Sequence, residues 1–138
     1  MKKFLLILTL ALLAGFTSKA QSDDNDKIRD KMREFIQKRL NLTRNEAERF
    51  TPVFVRYFTE WRQALKENRD DVLIRQQKIV DLRIRYRTEF REIVGEKRSN
   101  DVYKQQDIFI HEIREMREEQ IKARRSEIPN KQFRNLIQ

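Results

Sequence analysis

The sequence predicts an all-α protein of four helices, and three observations support this fold class. Of its 138 residues, 38% are charged, and only two are glycine and two proline. Large apolar residues recur at spacings of three and four, which is typical of helices with one buried face. The connections are short and no segment alternates like a strand, so we expect neighbouring helices to be antiparallel.

The first predicted helix spans about residues 26–40. Asp23, Asp24 and Asp26 lie at its N-terminal end, where the helix dipole favours carboxylates, and Asn41 ends it. Its apolar stripe consists of Ile28, Met32, Phe35, Ile36 and Leu40.

A capping motif predicts the start of the second helix. Thr43 is the expected N-cap, and Glu46 at the third helical position can bond back to it. Leu42 precedes the cap and Ala47 occupies the fourth position, where a hydrophobic staple would form. The motif is interpreted as structural, because it determines where the helix begins.

The second helix is expected to continue to about residue 67, with a kink at Pro52. Proline removes a backbone donor, but the apolar phase persists across it, which favours one kinked helix over two. The apolar stripe holds Phe50, Phe54, Tyr57, Phe58, Trp61 and Leu65.

The third helix is predicted at about 71–94, with Gly95 as a left-handed C-cap. Ser99 or Asn100 is expected to cap the fourth, which ends near Ile128–Pro129 because a residue before proline avoids the α region. Residues 127–138 are interpreted as a loose tail. The fourth helix carries a seam at alternating spacings of four and three: Val102, Gln106, Phe109, Ile113, Met116, Gln120 and Ala123.

Residues 1–20 have the layout of a secretory signal peptide. A basic start precedes 13 apolar residues, fewer than the roughly 20 that span a membrane, so we expect export without stable membrane insertion. Removal of Lys2, Lys3 and Lys19 leaves a helical domain over 21–126 and lowers the net charge from +9 to +6. A sequence pI near 10.0 would suggest a nucleic-acid partner in the cytosol, but export makes a periplasmic location and a protein partner the better expectation.

The composition excludes several functional classes. Without cysteine there is no disulfide framework, zinc finger or thiol nucleophile. Gly95 is the only glycine beyond the signal peptide, so glycine-rich phosphate loops are absent. The carboxylates have no adjacent catalytic motif, and we predict no enzymatic activity, no catalytic residue and no cofactor.

The segment 42–54 resembles a motif of the Spy/CpxP family of periplasmic proteins. Leu42-Thr43 followed by Glu46-Ala47, and then Phe50 and Pro52, is similar to the variant of Bacteroidetes-type bacteria in which Leu-Thr-x-x-Glu-Ala precedes Phe-x-Pro. The resemblance implies a bent antiparallel helical hairpin that forms a cradle-like homodimer. It also implies that the protein shields unfolded envelope proteins without ATP.

Two groups are candidates for binding such clients: the aromatic residues Phe54, Phe58 and Trp61, and the arginines Arg83, Arg87 and Arg91. The aromatic stripe can equally be core, and the arginines can equally form a solvated face neutralised by nearby carboxylates. An elongated hairpin has little interior, which favours the exposure of part of the stripe.

Asp107, His111 and Glu115 share one helix face at spacings of four. A single imidazole with two carboxylates falls short of a typical transition-metal site, so we predict no metal ligands and interpret the group as a solvated face with ion pairs. The alternative function is a stress or heavy-metal sensor that acts on a membrane signalling partner or a sigma-factor system. A structural coiled-coil dimer without clients is a third possibility.

Overall fold

The computed structural model describes residues 22–135, with side chains for 22–126. Four helices occupy this range: α1 at residues 22–39, α2 at Arg44–Glu67, α3 at Val72–Val94 and α4 at Glu96–Asn135. The described range contains no strand, so the predicted all-α class with four helices is confirmed. The predicted signal peptide at 1–20 lies outside the described residues.

The turn between α1 and α2 follows from two local motifs. Asn41 adopts a left-handed φ of 55°, and the amides of Asn41 and Leu42 bond to the carbonyls of Lys38 and Gln37. This pair of bonds is a Schellman motif, which ends a helix by satisfying its last carbonyls. Thr43 then caps α2, as the sequence predicts.

Contacts along the helices show an up-down-up-down bundle. In each neighbouring pair, residue numbers rise along one helix as they fall along the other, so every neighbouring pair is antiparallel. The contacts that establish this order are Asn25–Arg62 and Gln37–Thr51 for α1 and α2, Arg49–Glu92 and Arg56–Glu89 for α2 and α3, Arg83–Asp107 and Arg91–Glu96 for α3 and α4, and Phe35–Phe109 and Arg39–Gln105 for α1 and α4. The helices α2 and α4 lie diagonally across the bundle and run parallel.

Aromatic rings from three helices form the centre of the core. Tyr57 of α2 is fully buried, with its ring centroid 5.5 Å from that of Tyr86 and 5.6 Å from that of Tyr103. Phe50 and Phe90 pack beside it with centroids 5.1 Å apart. Offset and edge-to-face aromatic pairs of this kind add to the free energy gained by burial.

The start of α4 differs from the prediction. The helix begins at Glu96, directly after Gly95, rather than at Ser99 or Asn100. Gly95 has a φ of 87°, which glycine adopts without steric cost, so one residue suffices to reverse the chain. Ser99 is buried within the first turns, where its hydroxyl donates to the carbonyl of Glu96.

The end of α4 also differs, because the helix continues past Pro129 to Asn135. The expected tail at 127–138 is therefore helical as far as residue 135. Proline deprives the carbonyl of Arg125 of its helical donor, but Arg125 is exposed and water can bond to a solvent-facing carbonyl. Similarly, α2 is continuous across Pro52, and both Pro52 and Glu48, whose carbonyl loses a partner, are exposed.

The fourth helix is longer than the others and projects beyond the bundle. Its side chains at 114–126 are all exposed, so the seam predicted along α4 packs in the core only in its first half. Val102, Gln106 and Phe109 are buried, whereas Met116 is 54% exposed. Within residues 22–135, no helix is both long and apolar enough to cross a membrane.

Candidate protein-binding surface

The aromatic residues expected to bind clients are core residues. Phe54, Phe58 and Trp61 are 0%, 4% and 9% exposed. The expectation that they line an accessible surface is therefore corrected. Four helices enclose the stripe of α2 on all sides, so the bundle has an interior that an extended hairpin would lack.

The capping motif has an additional contact that the sequence does not indicate. The amide of Glu46 donates to the Thr43 hydroxyl at 3.2 Å, and the amide of Thr43 donates to the Glu46 carboxylate at 3.0 Å. Arg98 of α4 donates two further bonds to this carboxylate, at 2.6 and 2.9 Å. These bonds from Arg98, with the Thr43 amide, hold the pKa of Glu46 below its usual value. The motif thus caps α2 and joins it to α4.

The remaining residues of the motif are structural as well. Phe50 is fully buried, whereas Leu42 and Ala47 are partly buried near the turn and Pro52 is exposed. Their placement agrees with the structural interpretation given to the motif.

Arg83 lies against α4 and is not a free surface cation. Its guanidinium bonds to the Asp107 carboxylate at 2.6 Å and lies 5.3 Å from the centroid of the Tyr103 ring. It also donates to Gln106 Oε1 at 3.2 Å. Arg83 therefore stabilises the contact between α3 and α4, and its charge is neutralised there.

Gln106 and Tyr57 form a buried polar contact across the diagonal of the bundle. The Tyr57 hydroxyl donates to Gln106 Oε1 at 2.5 Å, while Gln106 Nε2 is buried and has no partner within the described part of the chain. The amide cannot simply be flipped, because two donors, from Tyr57 and Arg83, point at its oxygen. Burial raises the pKa of Tyr57, so this hydroxyl remains a donor at neutral pH.

The side of α3 that points away from the core carries a second apolar stripe. We call it the α3 outer face, and it consists of Leu73, Gln77, Val80, Ile84, Arg87 and Arg91. Leu73 is 76% exposed, and Val80 and Ile84 are each 53% exposed. Because a helix turns by about 100° per residue, these positions lie opposite the buried side formed by Leu82 and Tyr86.

The outer face is apolar in its first half and cationic in its second. None of its six positions holds a carboxylate. Arg87 is partly buried, and its Nε has no partner among the described residues. Arg91 is exposed, with Nε bonded to Glu96 at 2.7 Å. Of the three arginines proposed from the sequence, Arg91 is therefore exposed, Arg87 is partly buried beside it, and Arg83 is held against α4.

The acidic group around His111 does not converge. Asp107 is paired with Arg83, and His111 Nε2 lies 3.2 Å from Glu115 on an exposed part of α4. Among residues 22–135, no three potential ligands come close enough to hold a metal ion. The His111–Glu115 contact is an i,i+4 pair on an exposed helix face, whereas Arg83–Asp107 joins α3 to α4.

The apolar half of the outer face was not predicted from the sequence. The available signal was that Leu73, Val80 and Ile84 are out of phase with the stripe of α3 that is buried, at Leu82, Tyr86 and Phe90, so a two-sided helix could have been inferred. Comparison of the chain with known protein families, curated proteins and solved structures gives no match.

Proposed function

We propose that this chain is an exported, non-enzymatic helical protein of Spy/CpxP type that binds unfolded or stressed envelope proteins without ATP. It would act in the periplasm, as a homodimer. The observation that carries this proposal is the α3 outer face, where exposed apolar side chains adjoin two arginines. Such a surface suits segments that combine apolar and acidic residues, because contiguous exposed apolar groups on a soluble protein mark interaction sites and cations speed the encounter with acidic ones.

Two other contacts bear on the alternatives. If a metal-responsive sensor used the acidic group around His111, it would need Asp107, which is already paired with Arg83. A purely structural coiled coil would use the seam of α4, yet half of that seam is consumed in the bundle core. Client binding through α3 requires no rearrangement of the described helices.

Suppression of aggregation tests the proposal. Residues 21–138 are mixed with a reduced model client, without ATP, and light scattering is followed over time. We expect suppression by the native sequence and its loss when Leu73, Val80 and Ile84 are all replaced by Ser. The matched control replaces Met116 and Ile121, which are 54% and 46% exposed on α4, and should retain activity.

Circular dichroism of each variant establishes that the bundle remains folded. An absence of suppression by the native sequence at several-fold excess over client would refute the chaperone function. Equal loss in the test and control variants would instead show that the activity does not depend on the α3 outer face.

A further inference from the structure

We propose that the α3 outer face binds an acidic amphipathic helix of a partner protein, aligned antiparallel to α3. This inference rests on the proposed function, because it names the kind of protein segment that the surface takes. It is carried by the spacing of the outer-face residues, by the distribution of their charges and by the direction of the helix.

The spacing indicates a helical partner. The six positions follow one another at intervals of four, three, four, three and four, which is the pattern of a seam that packs against another helix. At 1.5 Å per residue the seam is about 27 Å long, so it matches a partner helix of about 19 residues. The neighbours α2 and α4 contact other sides of α3, through pairs such as Arg56–Glu89 and Arg83–Asp107, and leave the seam exposed except at Arg87, which is partly buried.

The charges indicate an acidic partner. Apolar residues of the partner would lie against Leu73, Val80 and Ile84, and its carboxylates would lie against Arg87 and Arg91. A guanidinium carries five N–H groups, so the single bond between Arg91 and Glu96 leaves donors for a second carboxylate. Burying the apolar half against a partner is favourable because it removes apolar surface from water.

The direction follows from the helix dipole. Carboxylates are stabilised in the first turns of a helix, near its positive end. A partner whose carboxylates lie in its N-terminal half places them beside Arg87 and Arg91 only when it runs antiparallel to α3. A parallel partner would need its carboxylates near its own negative end, which the dipole disfavours.

A second copy of this chain fits the surface poorly. Parallel self-pairing would place Arg87 against Arg87 and Arg91 against Arg91, and like charges at a helix interface repel. Antiparallel self-pairing would place Arg91 opposite Leu73, so that each apolar residue at the end of the seam meets a charge. The exported chain is also basic as a whole, with an expected net charge of +6 after removal of Lys2, Lys3 and Lys19, which complements an acidic partner better than another basic one.

Fluorescence anisotropy with designed peptides tests the inference, using the chain as purified after export. Three labelled helical peptides share one apolar pattern: one has Glu in its N-terminal half, one has Glu in its C-terminal half, and one has Lys in place of Glu. We expect the first to bind about tenfold more tightly than the second, and the third not to bind.

Variants of the chain then locate the binding. The double variant Val80→Ser with Ile84→Ser should lower the affinity for the first peptide by about tenfold, the size expected for an interface anchor. Arg91→Gln should lower that affinity by a similar factor. Replacing Met116 and Ile121 by Ser should have no effect. Arg91→Gln changes an exposed residue, so the test does not depend on variants that disturb the core.

Several outcomes would overturn the inference. Equal affinity for all three peptides would show that binding depends neither on the charge of the peptide nor on its direction along α3. If the chain dimerises in sedimentation experiments and Val80→Ser with Ile84→Ser abolishes the dimer, the surface binds a second copy of the chain. Binding of anionic vesicles with the same variant dependence, but not of the peptides, would assign it to a membrane. If aggregation is suppressed while no peptide binds, the acidic-helix inference fails and the proposed function stands.

Discussion

The hydrogen bond between Tyr57 and Gln106 joins α2 to α4 through the middle of the core, and a double-mutant cycle can measure its contribution. Both side chains are fully buried, and the hydroxyl lies 2.5 Å from Gln106 Oε1. Tyr57→Phe removes the donor, but Gln106 Oε1 still accepts from Arg83. We therefore expect the free energy of unfolding to fall by about 1 kcal/mol.

Gln106→Leu has two opposing effects. It leaves the Tyr57 hydroxyl buried without a partner, which costs about 1–3 kcal/mol, but it also removes the unpartnered Nε2. We expect a net loss of about 1–2 kcal/mol. In the double variant both polar groups are replaced by apolar ones of similar shape, which is nearly neutral, so the two losses should fall short of adding by about 2–3 kcal/mol.

Urea unfolding followed by far-ultraviolet circular dichroism gives the four free energies. The comparison requires that the free energy of unfolding falls with urea concentration at the same slope in all four chains, because a changed slope indicates a different unfolded or native state. If the two single losses add to within about 0.5 kcal/mol, Tyr57 and Gln106 are not coupled and the assigned hydrogen bond is wrong.

Three further predictions concern the turns and the titrating groups. Thr43→Ala should lower the free energy of unfolding by about 1 kcal/mol and Thr43→Ser by much less, because only the alanine removes the cap acceptor; an unchanged urea midpoint for the alanine variant would contradict the assigned cap. Gly95→Ala should cost about 1–2 kcal/mol, since alanine resists the positive φ, although a Cβ there meets no atom within 4 Å; an unchanged melting temperature would exclude backbone strain at this turn. Burial and the hydrogen bond to Glu60 raise the pKa of Tyr86 to about 12, above the unfolded value near 10. The contribution of Tyr86 to the free energy of unfolding is therefore complete below pH 10 and disappears between pH 10 and 12. The pKa of Glu60 is lowered, chiefly by the hydrogen bond from the Tyr86 hydroxyl. Its contribution to the free energy of unfolding is therefore present when the pH is above the pKa of the unfolded state, and it disappears as the pH falls through the pKa of the folded state. Melting temperatures of the native chain and of Tyr86→Phe across both ranges check this pair, and identical curves for the two chains would refute it.

Much of the local structure could be predicted because it depends on neighbouring residues. The Thr43–Glu46 box lies within one helical turn, and the left-handed conformations at Asn41 and Gly95 suit residues that adopt positive φ readily. The start of α4 was misplaced because Ser99 resembles an N-cap, whereas the chain reverses already at Gly95. The end of α4 was misplaced because an exposed helix tolerates proline when water bonds to the freed carbonyl.

Less of the candidate site could be predicted. The arginines of α3 are visible in the sequence. Which of them is neutralised by Asp107 (Arg83), partly buried (Arg87) or exposed (Arg91) depends on where α4 lies. The aromatic residues of α2 looked suitable for binding because an isolated hairpin would expose them. They are buried because α1 and α4 complete a four-sided interior.

The sequence by itself determined the fold class, the number of helices, the turn at Asn41–Thr43 and the exclusion of cysteine- and glycine-dependent chemistry, because each of these depends on composition or on residues a few positions apart. Only the tertiary structure decided that α3 carries a second apolar stripe, at Leu73, Val80 and Ile84, which no neighbouring helix covers. It also decided that Arg98 reaches Glu46 and that Gln106 meets Tyr57. Those contacts join residues 52 and 49 positions apart, and no local pattern specifies them because they arise from how the helices pack.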